Sequence, residues 1–84
     1  MDYSAAQRVD VHGKNKHQTK ITLDSALRKA GSGVYRIAVI HGFNHGTELR
    51  EMIRRDYAVH PKVLRVERGA NDGETVLVLK ERYT

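Results

Sequence analysis

Apolar and polar positions fall into two periods along this chain, and the switches between them predict its elements. Val9 and Val11 alternate with the polar Arg8, Asp10 and His12, which is the two-residue repeat of a half-buried strand that ends at Gly13. Asn15 then precedes a segment with Leu23, Ala26, Leu27 and Ala30 at helical spacing, so a helix is expected from Lys16 to Ala30 with Asn15 as its cap. Lys16, Lys20, Arg28 and Lys29 fall on the solvated face of that helix. Gly31-Ser32-Gly33 closes it, and the near-continuous apolar run Val34 to Ile40 reads as a central strand. A second helix is expected from Thr47, as cap, through Tyr57, burying Leu49, Met52, Ile53 and Tyr57. His60-Pro61 ends it, and strands over Val63 to Glu67 and Thr75 to Lys80 flank the turn-rich Gly69 to Glu74 as a hairpin. Met1 to Gln7 lacks periodicity and reads as a loose leader ahead of a single domain over residues 8–84.

The predicted order is therefore strand, helix, strand, helix, strand, strand. Two short crossovers make the first three strands parallel, and the hairpin makes the fourth antiparallel. Parallel strands end along one edge of a sheet, so Asp10, His12 and His41 are expected to meet the loop from Gly42 to Gly46 there. Both of these strands run into His-Gly. A strand that breaks into glycines before a helix leaves backbone N–H groups free to receive an anion, for which phosphate is the natural candidate. The histidines add groups that exchange protons near neutral pH.

Composition narrows the partner. The 84 residues, 39% of them apolar, support one modest core. There is no cysteine, which excludes disulfides and thiolate metal sites, and no apolar N-terminal segment of the signal-peptide or membrane-span kind, so a cytoplasmic protein without membrane contact is expected. Fifteen Lys and Arg against ten Asp and Glu give a net charge of +5 and a pI near 9.8, which suits a polyanion as well as it suits simple solubility. A monomer is expected.

Each candidate also has a purely structural explanation. His12 alone is accounted for by a hydrogen bond to the adjacent turn, and Asp10 by a pair with Arg8. His17 and His60 read as structural or surface residues, and Tyr35 and Tyr57 as core. Phe43, at a loop tip beside basic surface, reads as an aromatic on which a base stacks.

Taken together, the motifs carry a family resemblance. Val9-Asp10-Val11-His12-Gly13 resembles the Leu-Asp-Leu-His-Gly signature of the small MutS-related (Smr) domain, and His41-Gly42-Phe43-Asn44-His45-Gly46-Thr47 resembles its second, glycine-rich motif. The resemblance runs from Arg8 to Leu79. Two departures stand out: Asn44 replaces the middle glycine of His-Gly-x-Gly-x-Gly, with His45 at the variable position after it, and Val-Asp-Val replaces Leu-Asp-Leu. Asparagine tolerates a positive φ better than other side chains do, so the turn survives.

The resemblance implies an α+β two-layer sandwich with strand order 1-2-4-3 and both helices on one face, like the C-terminal domain of translation initiation factor three. It implies nucleic-acid binding and, in a number of members, endonuclease activity on RNA or DNA, with Asp10, His12 and His41 as the catalytic candidates. Gly13, Gly42, Phe43, Asn44, His45, Gly46 and Thr47, with Arg8, Arg36 and Arg50, are the candidate phosphate and nucleic-acid contacts. For RNA, the expectation is metal-free cleavage with His12, beside Asp10, as proton donor and His41, beside the loop amides, as base. For DNA, a divalent metal would activate water. The alternatives are a non-catalytic nucleic-acid or ribosome-binding module using the same loop, and a protein-interaction adaptor.

Overall fold

The computed structural model describes residues 6–43 and 47–81. Strand β1 spans Ala6–Asp10 and helix α1 Lys16–Lys29; β2 spans Arg36–Ile40, α2 Glu48–Tyr57, β3 Arg65–Arg68 and β4 Glu74–Val78. The order of elements is the one that the periodicities predict. β1 begins inside the expected leader, because Ala6 and Gln7 pair with Arg36 and Ile37 of β2. Backbone pairing needs no apolar alternation, so the pattern alone did not reveal those two residues.

Local chemistry sets the helix ends. Asn15 Oδ1 accepts from the Gln18 amide at 2.8 Å while Gln18 Oε1 accepts from the Asn15 amide at 3.1 Å, a reciprocal capping box at the start of α1. Thr47 occupies the corresponding position before α2, but its side chain makes no capping hydrogen bond; only its carbonyl is used, accepting from Glu51 N at 2.8 Å. Glu48 and Glu51 in the first turn of α2, with Arg54 and Arg55 in its last, complement the helix dipole instead.

The sheet runs β1-β2-β4-β3. β1 and β2 are parallel, and β4 is antiparallel to both β2 and β3, so β3 shares the direction of the first two as the crossovers require. One face is covered. Ile37 and Val39 of β2 sit opposite Leu77 and Thr75 of β4, and join Val11 and helix residues Leu23, Leu27, Met52, Ile53 and Tyr57 in a single core. Both helices contribute to that one core, so both lie on the same face. Tyr57 ties them together: its hydroxyl donates to Asp24 Oδ1 at 2.7 Å and lies 3.3 Å from the Lys20 carbonyl. Burial first, and then the Asp24 carboxylate, push this phenol well above its ordinary pKa.

The opposite face is open and charged. Arg36 bonds Glu67 at 2.9 Å, and Arg65 reaches Glu67 at 2.7 Å and Glu81 at 2.8 Å, an ion-pair lattice that spans β2, β4 and β3. Val78 between them is fully buried. Among the described residues no helix is long and apolar enough to cross a membrane.

Candidate nucleic-acid site at the sheet edge

The carboxyl ends of β1 and β2 abut. Val11 N donates to Ile40 O at 2.8 Å, which carries the pairing one residue past the end of β1. Gly42 follows with φ +79°, and a Cβ built there would lie 3.5 Å from the Cβ of His12. A side chain at Gly42 would be strained in that conformation, so glycine is what allows the two strand ends to turn side by side.

Alternation then divides the candidate residues between the two sides of the sheet. Asp10 and His12 point away from the helices. Asp10 Oδ1 lies 2.5 Å from His12 Nδ1 and also accepts the His12 amide at 3.0 Å, so one carboxylate oxygen fixes both the backbone and the ring. A carboxylate only accepts, which assigns the proton to Nδ1 and leaves Nε2 turned outward. The side chains stay accessible, His12 at 71% and Asp10 at 57%. Hydrogen bonds from the His12 side chain and backbone hold the Asp10 carboxyl below its usual pKa, so it is ionised at neutral pH.

His41 is turned the other way. It is 7% exposed, with Nε2 2.9 Å from Thr75 Oγ1 and Nδ1 3.1 Å from Gly42 O. The carbonyl must accept, so Nδ1 carries the proton and Nε2 takes the Thr75 hydroxyl's. Burial lowers the pKa of His41, helped by the Arg50 and Arg54 cations and opposed by the Gly42 hydrogen bond and Glu74. The ring is therefore neutral, as expected from its place beside the loop, but both nitrogens are engaged. Expected from the sequence as an accessible base beside the loop amides, His41 is instead buried with both ring nitrogens bonded inside the fold, and it ties Gly42 to Thr75 of β4.

Sequence reasoning missed the hairpin turn. The carbonyl of Gly73 accepts from both His41 N at 2.9 Å and Gly42 N at 3.0 Å, while Asn71 Oδ1 accepts from Gly73 N at 2.8 Å. The Asn71-Asp72-Gly73 turn signal was visible, but nothing in it pointed to a loop so far back in the chain.

The remaining candidates divide cleanly. Gly13, with φ +80°, is exposed directly after His12. Arg8 shares the outward face of β1 with Asp10 and helps to lower its pKa. Arg50 is half-buried in the first turn of α2, close enough to bias His41, and its Nε is buried with no hydrogen-bond partner among the described residues. Phe43 is 61% exposed, and Thr47 is exposed. Arg36 is not brought to this edge: it starts β2, at the far end of the strand, and is paired with Glu67. Asn44, His45 and Gly46 lie outside the described residues. Beside His12 a depression of about 590 Å³ opens between the N-termini of the two helices, lined by Gly13, Lys14, Asn15, Lys16, His17, Glu48 and Leu49. His17, read from the sequence as a bystander, faces it. Among the described residues no three His, Cys, Asp or Glu side chains come together as a metal site.

A two-layer α+β fold with an Asp-x-His strand end against a His-Gly loop defines an Smr-type domain, and comparison with known proteins agrees. The Smr domain family model matches residues 9–80, so the chain belongs to the Smr domain family, whose members generally bind nucleic acid or are nuclease-like. The crystal structure of the Smr domain of Thermus thermophilus MutS2 superposes with a TM-score of 0.78 at 24% identity, covering 89% of this chain and 99% of that one. That likeness bears on the fold. A search of the curated proteins finds no match.

Proposed function

We propose that this domain cleaves single phosphodiester bonds in RNA, with His12 as the general base and Asp10 as the group that orients it. The observation that carries this reading is the 2.5 Å contact from Asp10 Oδ1 to His12 Nδ1 beneath an exposed ring. A carboxylate on Nδ1 holds an imidazole in the tautomer whose Nε2 accepts a proton, the arrangement by which general bases are positioned. In RNA, Nε2 takes the proton of the 2′-hydroxyl, the 2′-oxygen attacks the adjacent phosphorus, and the 5′-oxygen leaves, taking a proton from water or from the imidazolium. A 2′,3′-cyclic phosphate and a 5′-hydroxyl result. Arg8, on the outward face of β1 beside Asp10, supplies positive potential for the phosphorane charge. RNA carries its own nucleophile, so the Asp10–His12 pair suffices without an ion; with DNA, a divalent ion would take the phosphates as further ligands.

A second reading is favoured by a specific observation. With His41 buried and its nitrogens engaged, the two described strand ends present one exposed imidazole instead of two, which suits a module that binds RNA, or an RNA-rich particle such as the ribosome, without cutting it. End-group analysis separates the two. Labelled RNA and DNA, single and double stranded, are incubated with and without chelator. Cyclic phosphate ends in chelator support the proposal. Salt-dependent binding with no product supports the module, and 5′-phosphate ends that need a divalent ion replace the base mechanism with metal-activated water.

A further inference from the structure

We infer that Phe43 is a shelf on which an unpaired base stacks, so that this site selects single-stranded over paired nucleic acid. The inference rests on the nucleic-acid reading above and names its substrate class. Phe43 is the only phenylalanine in the chain and stands 61% exposed one residue after Gly42. Exposed apolar side chains are ordinary, but this one is held in place. A Cβ added at Gly73 would lie 2.9 Å from Cε2 and 3.1 Å from Cζ of the ring, so the ring rests on bare backbone that only glycine provides. That backbone is itself fixed, with its N–H donated to Asn71 and its carbonyl shared between His41 N and Gly42 N. The hairpin turn thus carries the ring, and the loop that bears the ring is bonded to the same turn.

Position gives the shelf its use. Gly42 has His12 against it on the β1 side and is bonded to Gly73 on the β4 side, so imidazole and phenyl ring flank one glycine along the same sheet edge. Two strand spacings separate β1 from β4, about 10 Å, a distance that neighbouring nucleotides of one strand span. A base stacked on Phe43 therefore leaves an adjacent phosphate near His12. In a duplex the faces of each base are covered by its neighbours, and only an unstacked base offers a face to the ring. Every base has such a face, so the shelf discriminates by strandedness and tolerates sequence.

The sequence contains no tryptophan, so Phe43→Trp installs a single indole fluorophore at the shelf. It is titrated with a short oligouridylate and with a blunt RNA duplex of the same length, binding being followed in parallel by anisotropy of labelled RNA. The expected result is saturable quenching by the single strand and none by the duplex. Phe43→Ala, and Phe43→Leu, which keeps apolar volume without a π-face, should each weaken single-strand binding roughly 5- to 150-fold, the equivalent of one lost base stack, and leave duplex binding unchanged. Gly73→Ala should weaken it in the parent protein but not on top of Phe43→Leu. The inference is overturned by Phe43→Leu binding single strands as the parent does, by equal losses on single strand and duplex, or by indole emission from the Phe43→Trp protein that stays constant while anisotropy saturates. These readouts measure binding alone. A protein that binds through Phe43 and cuts nothing refutes only the nuclease proposal, and one that cuts while indifferent to Phe43 refutes only the shelf.

Discussion

Thr75→Val removes one hydroxyl and tests whether His41 is braced as described. Thr75 is fully buried and its Oγ1 lies 2.9 Å from His41 Nε2. Valine fills the same space without a donor, leaving a buried ring nitrogen unpaired, at a cost of about 1–3 kcal/mol. The extra methyl group offsets about 0.8 kcal/mol of this by apolar burial, so a net loss of roughly 0.2–2.2 kcal/mol is expected. In a domain of this size each kcal/mol moves Tm by about 4–8 °C, which predicts a fall of about 1–18 °C. Melting followed by far-ultraviolet circular dichroism, well above pH 6.5 so that imidazole titration does not intrude, reads it directly. His41→Leu combined with Thr75→Val should cost less than the two single substitutions added together, because the second loses a partner that is already gone. A Thr75→Val protein that melts with or above the parent would show that the bond does not hold the loop, and the bracing role of His41 would fall with it.

Three further outcomes are expected. Because burial lowers the pKa of His41, its contribution to stability is whole above about pH 6.5, the unfolded value, and is lost as pH falls through the lower folded one, so the stability difference between the parent and His41→Gln should shrink on acidification; a difference independent of pH from about 7 to 5 would contradict this. Arg36→Ala should leave RNA affinity unchanged, since Arg36 is paired with Glu67 away from the site, whereas Lys14→Ala and Lys16→Ala should each flatten the logarithmic salt dependence of single-strand binding by about 0.7; a loss with Arg36→Ala alone would move the binding path to the open sheet face. Gly42→Ala must place a side chain at φ +79° and should cost about 1–2 kcal/mol by denaturant melting, an unaffected midpoint being the contrary result.

The fold was legible because its signals are local and periodic. Val9 and Val11 on one face of β1, the apolar run of β2, and Met52, Ile53 and Tyr57 on α2 each bury where the pattern directed, and the crossover rule then brought the two His-Gly strand ends together. What sequence could not convey depends on partners distant along the chain. His41 has a strand-end position like that of His12, but Thr75, thirty-four residues on, draws its ring inward, and side-chain alternation puts the two histidines on opposite faces. Arg36 carries the same charge as Arg8, yet Glu67 on β3 claims it. Gly73 looked like one more turn residue until its carbonyl met the loop. The capping box was readable, since Asn15 and Gln18 have the spacing of that motif, and Thr47 had the same cap-forming chemistry without using it.

Single-turnover cleavage of a labelled single-stranded RNA by the parent, His12→Ala and Asp10→Asn, with anisotropy measured on the same samples, tests the Asp10–His12 dyad most directly. His12→Ala should slow cleavage by about 10²- to 10⁴-fold with binding retained, and Asp10→Asn should fall between it and the parent, because an amide still reaches Nδ1 but no longer fixes the tautomer whose Nε2 accepts a proton. A His12→Ala protein that cuts at the parent's rate would contradict the account.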